Sequence, residues 1–313
     1  MSERMSLSRI LAPTDFSDCA TGAVEYAKVL ARHFGAGITL LHAAPPRATF
    51  EPLPLTGMAF VEPFADEETH AAAALDAYRA DLLAEFPDSN AVLSTESPAE
   101  AIVASSRSIG ADVIVMGTHG REGLSRAFLG SVAESVIQQS DRPVITVRPI
   151  EDRPRPAGIA RILCPVNYSA VASRAYQHAL FLASAFDAEL TVLYLEERGV
   201  VDHSAEMKRL REWVGDVPLT VRASLLVDHG EAAVQVNDYA LQHGTDLIVM
   251  GVQHKRRDTI TVIGTTTATL TRHAPCPVLT VPGDLLVIEE QEREHEAREH
   301  ESRGEPADAA ARY

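Results

Sequence analysis

The sequence predicts an α/β protein made of two tandem copies of one doubly wound domain, followed by a charged tail. An internal repeat, and the alternation of strand-length and helix-length segments inside each copy, carry this expectation. Arg9-Ile10-Leu11-Ala12-Pro13-Thr14-Asp15-Phe16-Ser17 returns as Arg161-Ile162-Leu163-Cys164-Pro165-Val166-Asn167-Tyr168-Ser169, an offset of 161 − 9 = 152. Ala111-Asp112-Val113-Ile114-Val115-Met116-Gly117 returns as Thr245-Asp246-Leu247-Ile248-Val249-Met250-Gly251, and Arg142-Pro143-Val144-Ile145-Thr146-Val147 as Cys276-Pro277-Val278-Leu279-Thr280-Val281, with an offset of 245 − 111 = 134. The first copy therefore carries 152 − 134 = 18 extra residues, best accommodated in the Pro-rich stretch Pro45 to Asp66. The reading is residues 1–150 for the first domain, a Pro-punctuated linker at 151–158, a second domain at 159–283 and a tail at 284–313.

In the first domain, strands are expected near Arg9–Pro13, Gly37–His42, Ala91–Thr95, Asp112–Met116 and Pro143–Val147. The three central ones read as nearly continuous apolar runs, the pattern of strands buried on both faces of a parallel sheet. Helices are expected at Asp18–His33, Glu67–Phe86, Ala99–Ile109 and Ser131–Gln139, with Pro98 suited to a first helical position and Gly35 and Gly110 to helix stops. The second domain repeats the order with strands near Ile162–Pro165, Glu189–Leu195, Leu219–Leu225, Asp246–Met250 and Pro277–Val281. Five strands joined by crossover helices make a Rossmann-like sheet of order 3-2-1-4-5 in each half.

Charge narrows the partners. The 313 residues hold 28 Lys and Arg against 44 Asp and Glu, a formal net of −16, which repels nucleic acid and anionic lipid. No apolar run reaches the ~20 residues of a membrane span, and no signal-peptide pattern is found. Cys19, Cys164 and Cys276 are far apart and form no CxxC pair, which fits a reducing, cytoplasmic compartment. The tail from Asp284 holds ten acidic residues and four arginines, a net of 4 − 10 = −6. It has i,i+4 Glu/Arg pairs but no apolar stripe, as in a solvated helix or a disordered segment.

The strongest chemical signal is the loop after the fourth strand of the first half, from Gly117-Thr118-His119-Gly120-Arg121 to Gly130-Ser131. Its frame is Gly, two residues, Gly, nine residues, Gly-Ser. Glycines let backbone amides approach a phosphate, the helix opened by Gly130-Ser131 favours an anion, and Arg121 and Arg126 add positive charge. Alternatively, the glycines merely shape a loop. Topology favours the ligand reading: in the order 3-2-1-4-5 the switch point lies between strands one and four, so Pro13-Thr14-Asp15 and Met116-Gly117 end in one crevice. Scattered histidines suggest no organised metal site, and Cys19 reads as a small buried hydrophobe.

These motifs resemble the universal stress protein family in tandem form, over roughly Leu7 to Pro282. The resemblance implies ATP, with Mg2+, as the cofactor. It implies that Asp15, Leu41 and His42 lie around the adenine, and that Met116, Gly117, Gly120, Gly130, Ser131 and Val132 lie around the ribose and phosphates; Pro13 and Thr14 beside Asp15, and His119 and Arg121 inside the Gly loop, are further candidate nucleotide-binding residues. It further implies pairing of the two domains through their fifth strands, Val144–Val147 and Val278–Val281, and a homodimer. The resulting expectation is a nucleotide-dependent regulator or sensor of stress, acting through conformation or a protein client and at most a slow ATPase. An ATP-using hydrolase or transferase and a nucleotide-free scaffold or small-molecule carrier are the rivals. The sequence shows none of the P-loop, Gly-x-Ser-x-Gly or His-Glu-x-x-His motifs of dedicated catalysts.

The second half departs from the pattern. Thr14-Asp15 becomes Val166-Asn167, and His254 stands where the first half has Gly120, beside the basic run Lys255-Arg256-Arg257. Gly264-Thr265 keeps the helix opening. A structural copy or an altered ligand site is expected there, with one ATP per chain.

Overall fold

The computed structural model describes residues 5–45, 64–120, 129–148, 158–197, 202–252, 255–257 and 260–283. The first half runs β1 (Arg9–Pro13), α1 (Asp18–Phe34), β2 (Gly37–Ala43), α2 (Phe64–Leu82), β3 (Asn90–Ser94), α3 (Pro98–Ser108), β4 (Val113–Gly117), α4 (Ser131–Gln139) and β5 (Val144–Val147). The second runs β6 (Arg161–Val166), α5 (Ala170–Phe186), β7 (Glu189–Glu196), α6 (His203–Val214), β8 (Arg222–His229), α7 (Ala232–Gln242), β9 (Leu247–Val252), β10 (Lys255–Arg257), β11 (Ile260–Val262), α8 (Thr265–His273) and β12 (Val278–Pro282). The linker and tail assignments, and most of the insertion, fall outside the described residues.

The same local chemistry builds both copies. Ser17 accepts from the Ala20 amide to cap α1, and Ser169 accepts from the Ala172 amide to cap α5. Asp112 accepts from the Ser8 and Arg9 amides, as Asp246 does from those of Ala160 and Arg161, pinning the fourth strand of each half to the start of the first. α1 ends at Gly35 with φ +66°, whereas α5 ends at Asp187 with φ +52°, so the left-handed cap survives the loss of glycine.

Within each half the strands of the main sheet are parallel, and β5 and β12 then pair antiparallel, with Ile145 opposite Leu279, into one ten-stranded sheet of order β3-β2-β1-β4-β5-β12-β9-β6-β7-β8. The seam carries reciprocal side-chain bonds: Thr146 Oγ1 donates to Val278 O at 3.3 Å and Thr280 Oγ1 donates to Val144 O at 3.1 Å. One apolar core, containing Val24, Leu30, Ile145, Leu182, Val249 and Leu279, crosses it. α1 and α5 meet there too. The His33 ring stacks on Phe186 at 3.8 Å and its Nε2 donates to Ala185 O at 2.9 Å.

Three elements differ from the sequence expectation. The strand expected at Leu219–Leu225 is β8, from Arg222 to His229; Pro218 starts a turn closed by Val221 N to Pro218 O, which leaves Leu219 fully exposed. The helix expected to reach Phe86 ends at Leu82, since the residue before Pro87 is disfavoured in a helix. The basic run after β9 forms one strand of the β10–β11 hairpin, which the turn-free local sequence did not signal, and β11 packs on α4 of the other half.

Candidate functional site

The C-terminal ends of β1 and β4 open side by side, because β1 pairs with β4 on one edge and β2 on the other. Pro13 faces Leu41 across the β1–β2 ladder, and the Thr14 amide continues it to Leu41 O at 2.8 Å. Thr14 is buried; its Oγ1 accepts from the Phe16 amide, and its carbonyl accepts from His42 Nδ1 at 2.8 Å, which fixes that ring proton. Phe16 takes φ +64° and sets its ring 4.5 Å from His42 and 5.2 Å from Tyr78. This turn aims Asp15 back over the strand ends. Asp15 Oδ1 accepts from Ser17 N at 3.1 Å and Ser17 Oγ at 2.6 Å, tying the carboxylate to the cap of α1.

The glycines of the loop do three different things. A Cβ on Gly120 would lie 2.6 Å from Asp15 Oδ2, so the loop backbone meets the carboxylate edge at this position. A Cβ on Gly130 would lie 2.8 Å from Thr118 O, which already accepts from Gly130 N at 2.8 Å. Gly117 departs from the sequence reading. Its missing Cβ would strike Cys19 Sγ at 2.8 Å, and its counterpart Gly251 would strike Val171 O at 2.5 Å. Close packing of strand against helix, in both halves, explains that glycine.

Met116 is buried, and Val132 packs with Leu41 and Leu129 against the same core on the α4 side of the sheet. Ser131 is the first residue of α4 and is exposed, and His119 lies between Thr118 and Gly120 with Nδ1 2.8 Å from Thr118 Oγ1. Arg121 and Arg126 fall outside the described residues. All other residues expected at the site are brought to the β1, β2 and β4 ends and the mouth of α4. Sequence reasoning missed Phe16 and Thr118. The aromatic shared by Phe16 and Tyr168 in the repeat was the available signal for the first.

A family model for the universal stress protein family matches residues 7–148 and again 158–282. The chain belongs to the universal stress protein family. A universal stress protein of Thermus aquaticus is 35% identical over 140 residues, which cover 44% of this chain and 97% of that one. One from Methanocaldococcus jannaschii is 33% identical over 145 residues, 45% of this chain and 81% of the relative. The fold of a universal stress protein crystal structure from Archaeoglobus fulgidus superposes with a TM-score of 0.69 at 21% identity, covering 88% of this chain and 98% of that one. Two universal stress protein domains in one chain thus account for the repeat.

The second of these domains preserves the frame and changes the contents. Asn167 Oδ1 accepts from Ser169 Oγ at 2.6 Å, as Asp15 does from Ser17, while Tyr168 takes φ +62° and stacks on Tyr194 at 4.5 Å. Arg209 lies 4.4 Å over the Tyr168 ring, whose hydroxyl donates to Glu206 and is pushed up in pKa by burial and by that carboxylate. Among the described residues nothing lies within 4 Å of a Cβ on Gly264. Among the described residues no group of three or more His, Cys, Asp or Glu side chains could hold a metal ion, and no helix is long and apolar enough to cross a membrane.

Proposed function

We propose that the first domain binds ATP and that the chain acts as a nucleotide-dependent stress regulator, its second domain serving as structural partner. The observation that carries the proposal is the approach of Gly120 to Asp15: a single methyl there would fill the space beside Oδ2, at 2.6 Å. A carboxylate at the end of β1 accepts a hydrogen bond from an exocyclic amine, and the backbone around Leu41 gives the base an edge to lie along. The mouth of α4, Gly130-Ser131, offers amides and the positive end of the helix dipole to phosphates. The residues therefore fit an adenine nucleotide. Magnesium would be held mainly by the phosphates and water, its usual mode.

The antiparallel β5–β12 seam supports a self-contained pair of domains, since it covers both fifth-strand edges within one chain. A homodimer of this protein would therefore use another surface. The buried thiols of Cys19, Cys164 and Cys276 fit the cytoplasm, and signalling would pass to a protein client rather than through rapid turnover.

Mass spectrometry of ligand released from the freshly purified chain, with calorimetric titration of ATP, tests the reading. One ATP per chain is expected, lost in Asp15→Ala and retained when Gly264 is changed. Asp15→Ala should weaken ATP more than inosine triphosphate, which lacks the exocyclic amine. No bound nucleotide and no heat of binding would leave the scaffold or carrier reading in its place.

A further inference from the structure

The two halves differ sharply in charge where the chain passes from the fourth strand to the last helix. These connections are equally long, 130 − 117 = 13 and 264 − 251 = 13, so their residues correspond one to one. Arg121-Glu122-Gly123-Leu124 in the first half answers to Lys255-Arg256-Arg257-Asp258 in the second, a net charge of 1 − 1 = 0 against 3 − 1 = +2. Nowhere else in this acidic sequence are three consecutive residues cationic. The segments that follow the fifth strands differ in step. The linker at 151–158 has two acids and two arginines, net zero, whereas the tail from Asp284 carries a net of −6. A neutral connection is thus matched with a neutral exit, and a basic connection with an acidic one.

Topology puts the acidic exit next to the basic strand. β9 and β12 are parallel, and the last rung of their ladder joins Val252 to Pro282. Lys255 lies 255 − 252 = 3 residues past that rung on one side, and Leu285 lies 285 − 282 = 3 residues past it on the other. Leu285-Leu286-Val287-Ile288 is an apolar run ending in two β-branched residues, preceded by Asp284 and followed by Glu289-Glu290. β10 and β11 meanwhile form a sheet of two strands only, with Lys255 opposite Val262, and neither outer edge pairs with another strand among the described residues. Two strands alone are marginal and gain from a third. β11 is engaged with α4, and Ile263 just after it is buried with Leu129 and Ala133 of the first half. β10 is the strand that follows directly from the Val252/Pro282 rung.

We propose that residues 285–288 add to the open edge of β10 as a third, parallel strand, with Asp284 and Glu289-Glu290 flanking the cationic run. The occupant is this chain's own tail, which needs no long span to arrive. Neighbouring strands are about 4.8 Å apart at the last rung, and three residues carry each chain onward by about 10 Å. Level with the run, Glu289 and Glu290 stand two and three residues beyond Arg257, about 7–10 Å along the strand, comparable with the screening length of about 8 Å at physiological ionic strength. Covalent attachment adds an effective concentration in the millimolar range, so even a weak contact is populated. Docking also covers an apolar run and an unpaired edge at once, both of which invite aggregation when left open. The proposal is independent of the ATP reading of the first domain.

Amide hydrogen exchange of the full chain, read by mass spectrometry, tests it. In the wild type, the amides of residues 285–288 should exchange at least about tenfold more slowly than in an unstructured peptide of that sequence. The triple change Lys255→Glu, Arg256→Glu and Arg257→Glu should remove most of that protection. The double change Glu289→Lys and Glu290→Lys should do the same from the other side, and it lies beyond the last strand of the main sheet, which it leaves intact. Combining the two sets should restore part of the protection, and deleting residues 284–313 should speed exchange in β10 and β11. Unchanged protection of the β5–β12 seam identifies the folded variants. Wild-type residues 285–288 exchanging at the unstructured rate, or protection that survives both charge reversals, would overturn the proposal. Protection seen only at concentrations where sedimentation shows dimers would give the strand to a second copy, and would overturn docking within one chain.

Discussion

Replacing Gly120 by alanine tests the geometry at the centre of the site. The new Cβ would stand 2.6 Å from Asp15 Oδ2, where ordinary contact begins at 3.4 Å, so 3.4 − 2.6 = 0.8 Å must be found. The carboxylate is poorly placed to provide it. Oδ1 is held by Ser17 N at 3.1 Å and Ser17 Oγ at 2.6 Å, and that serine also caps α1 through the Ala20 amide at 3.2 Å. Rotating Asp15 away would break bonds to a charged acceptor worth about 1.5–3 kcal/mol each, so displacement of the loop is the less costly response. Gly120→Ala should therefore lower stability by about 1–2 kcal/mol in urea denaturation and weaken ATP at least about tenfold by calorimetry. In an Asp15→Ala background the stability loss should largely vanish, because the atom being struck is gone. As a control, Gly264→Ala in the second domain, at the counterpart of Gly130, meets nothing within 4 Å among the described residues and should cost only the N-cap preference, about 0.5–1 kcal/mol, with ATP binding intact. A Gly120→Ala chain with wild-type midpoint and wild-type ATP affinity would refute the reasoning.

Other changes probe the frame. Tyr26 is buried with its hydroxyl unpartnered among the described residues and its pKa pushed far up, first by desolvation, so Tyr26→Phe should raise stability by about 1 kcal/mol; a lower melting temperature would show a further partner for that hydroxyl. Ile145→Ala, at the buried centre of the seam, should cost about 2–5 kcal/mol and lower a single unfolding transition shared by both domains, since calorimetry resolving two independent transitions would contradict the common core. His178 on α5 is held down to about 4 from 6.5 by burial and secondarily by Arg174, so the unfolded chain binds the extra proton between those values. Stability from this group is complete above pH 6.5 and falls as pH drops toward 4, by about 2–3 kcal/mol at most, and His178→Phe should flatten that part of the stability–pH curve.

Much of the fold was legible because the chain states it twice. Arg9–Pro13 is found as the strand expected, the strand expected at Pro143–Val147 begins one residue later at Val144, and the fifth-strand pairing follows from two apolar edges in one molecule. Local rules failed where tertiary pairing decides. β8 is recruited along the whole of β7 from Glu189 to Glu196, so a strand extends through Asp228 and His229 although neither favours one. At the site, sequence spacing assigned Asp15, Gly120 and Gly130 to one crevice and every glycine to one cause. Three-dimensional neighbours separate them: Cys19 explains Gly117, the Asp15 carboxylate meets Gly120, and the Thr118 carbonyl meets Gly130. The Thr118–His119 bond was invisible for a different reason, since adjacent residues seldom face each other and only the sharp end of β4 turns them together.

The second domain acts as an internal control for these assignments. Features present in both copies belong to the fold: the Ser17 and Ser169 caps, the Asp112 and Asp246 staples, the left-handed helix stops, and the close approach of Gly117 to α1 and of Gly251 to α5. Features present in one copy are free of that duty. The clearest case is Asp15 against Asn167. Both offer one oxygen to the serine two residues on, at 2.6 Å in each domain, so the turn needs an acceptor and is indifferent to charge. What differs is the other terminal atom, an oxygen in Asp15 and an amide nitrogen in Asn167, an acceptor in one crevice and a donor in the other. Gly120 against His254 and Thr118 against Val252 divide in the same way. A ligand that needs a second acceptor oxygen at the end of β1 and a glycine beside it finds both in the first domain. The second domain has Asn167 and His254 at the matching positions while keeping the residues that the shared sheet requires.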